Sequence, residues 1–153
     1  MANTYTQFNI HIVFSVKGRE NLITNKFRDR LHQYLSGILK NSGQYPLAVN
    51  GDKDHVHLFF ELNPKTSISN LISIIKSNST KWINENRFVL GRFSWQEGYG
   101  GFSYSRSQRD AVINYITKQE LHHRKRTFRE EYLELLEKFS IKFKGEYVFE
   151  FYE

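Results

Sequence analysis

The stretch Asp54-His-Val-His-Leu-Phe-Phe60 sets two imidazoles either side of one valine, within a run that reads as a β-strand. Alternation along a strand sends Val56, Leu58 and Phe60 to one face and His55, His57 and Phe59 to the other. The two histidines then stand about 7 Å apart at their roots, close enough for a nitrogen of each ring to converge on one ion. Such a pair is half of a metal site. The best source for the other half is Asn114-Tyr-Ile-Thr-Lys-Gln119, where Tyr115 and Gln119 meet on one face if the segment is helical. A phenol beside an amide oxygen offers a nucleophile and a third ligand. With a divalent ion the set suits phosphoryl transfer, because the ion polarises a phosphate oxygen while the tyrosine oxygen attacks phosphorus.

Each part alone has a plainer reading. A His-x-His on a strand is more often two ordinary half-buried histidines, and with nine tyrosines in the chain one falling four residues before a glutamine is unsurprising. Asp52 and Asp54 flank the histidine strand; they read first as turn residues, and second as hydrogen-bond partners of the histidines or an extra metal ligand. The argument rests on the combination.

Those residues need elements to position them. Residues 5–16 read as a strand, and Thr24 to Lys40 as a helix with Phe27, Leu31, Leu35, Ile38 and Leu39 on one stripe. Tyr45 to Asn50 and His55 to Leu62 read as short strands joined by the turn Gly51-Asp52-Lys53, and Pro64 closes that segment. Ile68, Leu71, Ile72, Ile75, Trp82 and Ile83 mark a second helix ending near Asn84 to Asn86, and Gly98 to Ser105 a last core strand. A third helix is predicted from Ser107, with Ser107-Gln-Arg-Asp110 as a capping-box variant, and a fourth from the capping box Thr127-Phe-Arg-Glu130. This order predicts an α+β fold, a ferredoxin-like or RRM-like antiparallel sheet with helices packed on one face and extra C-terminal helices.

No repeat, low-complexity tract or linker divides the chain, so residues 1–153 are expected to form a single domain. Its tail, residues 140–153, has no firm structural assignment; Glu146-Tyr-Val-Phe-Glu-Phe-Tyr152 alternates like a strand that covers an edge or a partner. Lysine and arginine number 22 against 16 acidic residues, and the pI is near 9.5. With abundant aromatics, that charge suits a polyanionic partner with stackable bases. The absence of cysteine excludes disulfides and thiolate zinc sites. Met1 to Thr6 lack a charged segment followed by an apolar run, and no stretch is apolar enough to span a bilayer, so a cytoplasmic location is expected.

Several motifs, in order, carry a closer resemblance: His11-Ile-Val-Phe-Ser-Val-Lys17, Asp54-His-Val-His-Leu58, and Leu71 to Asn84 with Lys76, Ser79 and Trp82. Phe93-Ser-Trp-Gln-Glu-Gly-Tyr-Gly-Gly-Phe-Ser-Tyr-Ser105 and Tyr115-Ile-Thr-Lys-Gln-Glu-Leu-His-His123 follow. Over most of its length the chain resembles the single-tyrosine HUH transposases of small bacterial insertion sequences, the "IS two hundred" group, with their REP-associated relatives. The resemblance implies that His55 and His57 are metal ligands, Tyr115 the nucleophile and Gln119 the third protein ligand. His122 is the alternative third ligand, since Tyr115, Gln119 and His122 share a face if the helix continues. It further implies Mg²⁺ or Mn²⁺, cleavage of single-stranded DNA with hairpin ends through a 5′-phosphotyrosine link, and a homodimer with active sites shared between subunits. By ligand type, two imidazoles and an amide oxygen suit Mn²⁺ at least as well as Mg²⁺.

The run His122-His-Arg-Lys-Arg126 reads as phosphate contacts from Arg124, Lys125 and Arg126, or as a solvated connection between helices. Lys76 and Arg106 are further DNA contacts, or plain surface charges. Trp95, Tyr99, Phe102 and Tyr104 read first as core and second as stacking platforms. Two other functions fit the chain: a domesticated REP-element processing enzyme with the same chemistry, and a non-catalytic hairpin-binding module. The second has no use for an intact His-Val-His and Tyr-x-x-x-Gln.

Overall fold

A computed structural model of the chain describes residues 3–119 and 126–144. In chain order the elements are β1 (Asn9–Ser15), α1 (Arg28–Asn41), β2 (Tyr45–Gly51), β3 (His55–Glu61), α2 (Ile68–Glu85), β4 (Gly100–Tyr104), α3 (Arg109–Thr117) and α4 (Phe128–Lys138). The four strands form one antiparallel sheet in the order β2-β3-β1-β4. Strand, helix, two strands, helix, strand in this spatial order is the ferredoxin-like arrangement expected from the sequence.

The histidine strand is held in register by its turn. Asp52 N–H donates to the His55 carbonyl (3.1 Å), and β2 and β3 pair with Asn50 opposite His57 and Gly51 opposite Val56. A Cβ on Gly51 would lie 2.2 Å from the His55 carbonyl oxygen, so this approach of the two strands requires glycine. On its other side β3 pairs with β1, Val13 opposite His57 and Ser15 opposite His55. His55 to Phe60 are all buried, as befits an inner strand covered on both faces.

One sheet face carries Ile12, Phe14, Val56, Leu58 and Phe60, which cluster with the stripes Leu31, Leu35 and Leu39 of α1 and Leu71, Ile72 and Ile75 of α2. The opposite face carries His11, His55, His57, Phe59 and Phe102. It is closed by α3, whose Val112 and Ile116 pack on Ala48 and Phe59, and by α4, whose Phe128 stacks on His55. The extra C-terminal helices therefore cover the face that the core pair α1 and α2 leaves open. The apolar residues of this face, Val13, Ala48, Phe59 and Phe102, are buried beneath them together with the histidines.

Some boundaries differ from those read in the sequence. α1 starts at Arg28, after a turn in which the Phe27 and Arg28 amides donate to the Thr24 carbonyl. The capping box before α3 uses Ser105 and Gln108 rather than Ser107 and Asp110, so a short 3-10 turn, Arg106–Gln108, leads into the helix. The box Thr127/Glu130 caps α4 as expected. The alternating tail Glu146 to Tyr152 lies outside the described residues.

Candidate active site

Each histidine of the pair is gripped by its Nδ1. The His55 Nδ1 lies 2.7 Å from Asp54 Oδ1, and the His57 Nδ1 lies 2.7 Å from Nε2 of His11 on β1. That leaves both Nε2 atoms aimed at one point, where they meet side chains from the C-terminal third of the chain. His55 Nε2 is 3.0 Å from Gln119 Oε1 and 3.4 Å from Glu131 Oε1, and His57 Nε2 is 3.2 Å from the same Glu131 oxygen. His11, His55, His57, Gln119 and Glu131 are all 0 % exposed.

Glu131 is the residue that the sequence reading missed. It sits on α4 between Phe128 and Tyr132, on the helix stripe Phe128, Glu131, Tyr132, Leu135 that is buried against the sheet. A glutamate on an apolar stripe at i, i+3, i+4, i+7 spacing is the signal that could have found it. Its carboxylate is divided: Oε1 faces the two histidines, while Oε2 accepts the Tyr115 hydroxyl and, at 3.0 Å, the Gln119 amide N–H. Gly100 on β4 makes room for this docking, since a Cβ there would lie 2.7 Å from Tyr132 Cε1.

Tyr115 and Gln119 converge as their spacing suggested, yet the helix between them does not run on. α3 ends at Thr117, with Lys118 turned out of helical conformation. The Tyr115 ring stands edge-on to His57 of the same chain, with centroids 5.9 Å apart. Within the one chain described, the tyrosine thus lies against its own histidines.

The donor set fits a divalent ion. Two imidazole nitrogens and a carboxylate oxygen, from His55, His57 and Glu131, lie within 4.8 Å of one another, with the Gln119 amide oxygen beside them. The hydrogen bonds to both Nδ1 atoms hold the rings in the orientation that such ligands need. Burial opposes charge on His55, but the Asp54 and Glu131 carboxylates outweigh it and push its pKa up to about 10. Tyr115 is driven well above its ordinary range by burial and by Glu131, with Gln119 and Arg126 working the other way. Burial, reinforced by His57, holds His11 well below the usual histidine value.

A sequence model described as "Transposase IS200 like" matches residues 4–119. The chain belongs to the IS200-like transposase family. Among relatives of this transposase, the ISDra2 transposase TnpA of Deinococcus radiodurans is 23% identical over 118 residues, 74% of this chain and 84% of that protein. Two solved structures share the fold. One, from Deinococcus radiodurans R1 and described as that of a transposase, has a TM-score of 0.62 at 20% identity, covering 78% of this chain and 95% of its own. The other, a REP-associated tyrosine transposase bound to a REP hairpin, has a TM-score of 0.59 at 15% identity, covering 80% of this chain and 73% of its own.

The remaining candidate residues of this transposase are scattered. Arg126 pairs with Glu134 and, with Tyr104, Gln108, Tyr115 and Glu131, lines a cleft of about 670 Å³ between α3 and α4. Lys76 donates to the carbonyls of Gln96 (2.8 Å) and Gly98 (2.5 Å), so its ammonium clamps the loop before β4. Arg106 lies exposed on the turn before α3. His122, Arg124 and Lys125 lie outside the described residues. Of the four aromatics, Trp95 and Phe102 are core, Tyr99 shares a hydrogen bond with Ser69, and Tyr104 is half-buried on the cleft wall. No helix among the described residues is long and apolar enough to cross a membrane.

Proposed function

We propose that this chain cleaves and rejoins single-stranded DNA at hairpin-bearing ends, through a 5′-phosphotyrosine link at Tyr115 and with Mg²⁺ or Mn²⁺ held by His55, His57, Glu131 and Gln119. The observation that carries the reading is the meeting of Tyr115 and both histidines at the buried carboxylate of Glu131. When bound, the ion supplies positive charge that polarises a non-bridging phosphate oxygen.

The chain's own residues do the rest. Tyr115 is oriented by its hydrogen bond to Glu131, whose Oε2 is the atom to hold the phenolic proton. As the bond from the tyrosine oxygen to phosphorus forms, the bond from phosphorus to the 3′ oxygen breaks, and that oxygen leaves as a hydroxyl with a proton from solvent water, to which Glu131 returns the phenolic proton. The covalent link keeps the free energy of the phosphodiester, so a later attack by another 3′-hydroxyl rejoins strands without ATP. The cleft between α3 and α4 is the route to Tyr115, and because the ligands are fully buried, entry of a strand requires α4 to shift.

Support for the partner comes from the net charge of +6 and from the REP-associated neighbour, whose structure holds a hairpin. The test is to incubate the protein with hairpin-bearing single-stranded DNA and Mn²⁺ and look for an adduct that survives denaturation. Tyr115→Phe should abolish the adduct while leaving DNA binding nearly intact. An adduct that persists in the variant and maps to another tyrosine would overturn the assignment.

A further inference from the structure

His11 is a buried polar residue that the reaction just described does not use. It lies on β1, on the sheet face of the paired histidines, enclosed by His57, Phe102 and Tyr104 with ring centroids 5.0, 5.7 and 6.1 Å away. Its Nε2 is 2.7 Å from His57 Nδ1, while its own Nδ1 is buried without a hydrogen-bond partner among the described residues. A buried imidazole with one nitrogen unsatisfied is a poor choice for packing, since a phenylalanine would fill the space without a desolvation cost. What phenylalanine lacks is a polar atom opposite His57.

We propose that His11 is a positioning residue for His57, holding the ring and setting its tautomer so that Nε2 presents its lone pair to a divalent ion. The contrast with His55 explains why the partner is an imidazole. Asp54 only accepts when ionised, so it fixes hydrogen on His55 Nδ1. His11 is neutral and either donates or accepts. In the metal-free chain His57 Nε2 faces a Glu131 oxygen at 3.2 Å and serves best as a donor, which leaves its Nδ1 to accept from His11 Nε2–H. With an ion on His57 Nε2, hydrogen must sit on His57 Nδ1, and His11 Nε2 becomes the acceptor with its hydrogen on Nδ1. Each ring keeps one N–H throughout, so the exchange leaves the charge of the pair unchanged.

The inference rests on the metal site proposed above, and its test separates the two. In the metal-free protein, long-range ¹H–¹⁵N spectra should show His57 protonated at Nε2. Titration with Zn²⁺, as a diamagnetic probe, should move the hydrogens of His57 and His11 to Nδ1 together. His11→Phe should fold, bind Mn²⁺ at least about tenfold more weakly by calorimetry, and be restored by His11→Gln, whose amide reaches the same position. Folded His11→Phe with wild-type Mn²⁺ affinity would overturn the proposal, as would failure of His11→Gln to restore it. If His11→Phe does not fold, the wild-type spectra decide: a His57 tautomer that changes while His11 does not refutes the coupling. Loss of Mn²⁺ binding in His57→Ala checks the metal site independently; should it fail, the metal-free spectra still test the His11–His57 hydrogen bond.

Discussion

Glu131 Oε1 lies 3.2 Å from Nε2 of His57, across 74 residues of sequence and between two elements, α4 and β3, that share no backbone hydrogen bond. The contact makes a carboxylate, rather than an amide alone, the third face of the histidine pair. Glu131→Gln is therefore expected to weaken Mn²⁺ binding by at least tenfold, the scale on which even indirect partners of metal ligands act. Gln119→Ala should cost less. Calorimetric titration of both variants decides the matter, and a larger loss from Gln119→Ala would make Glu131 a neighbour rather than a ligand.

The contact between Tyr115 and His57 within one chain predicts a site completed in cis. Mixing His57→Ala with Tyr115→Phe under conditions that exchange subunits should then give no cleavage of hairpin DNA. Each dead chain keeps its own defect. Verified mixed dimers that regain a fraction of wild-type cleavage would show that the tyrosine acts on the partner's histidines.

Gly100→Ala should displace α4, because the added methyl meets Tyr132 at 2.7 Å. A loss of about 1–3 kcal/mol in stability is expected from such overpacking, along with weaker metal binding as Glu131 moves. Tyr132→Leu in the same chain should recover part of both, and Tyr132→Phe should not, since the clashing ring atom stays. Chemical denaturation and Mn²⁺ titration of the three variants read this out. Equal recovery by leucine and phenylalanine would point away from the ring.

The metal-free protein should be most stable near pH 6.5, losing stability on either side. Burial lowers His32 from 6.5 to about 4, so its contribution is complete above the unfolded value and lost as pH falls through the folded one. That loss amounts to about 3 kcal/mol. His55, raised to about 10, works oppositely: its contribution is present below 6.5 and is lost as pH rises towards 10. An ion that binds His55 Nε2 displaces its proton, so Mn²⁺ affinity should climb with pH across that upper range. Melting temperatures against pH check the signs, with His32→Leu expected to shrink the acid limb and leave the part due to His11, which burial also lowers.

The sequence by itself determined the histidine pair and its sheet, because strand alternation is a local property: His55 and His57 share a face whatever packs on them. Thr127 and the Gly51 turn were legible in the same way, each acting on backbone groups a few residues distant. The meeting of Tyr115 with Gln119 also came from local spacing, although the helix between them ends at Thr117. Tertiary structure alone decided what stands opposite the histidines. Glu130, Glu131, Glu134 and Glu137 look alike along α4, and only docking of that helix on the sheet buries one of them, 0 % exposed, against His55 and His57. His11 was hidden for the same reason: its role depends on lying diagonal to His57 across the β1–β3 register, a relation set by strand pairing between segments 46 residues apart. Local sequence fixes which way a side chain points, and long-range packing fixes what it meets.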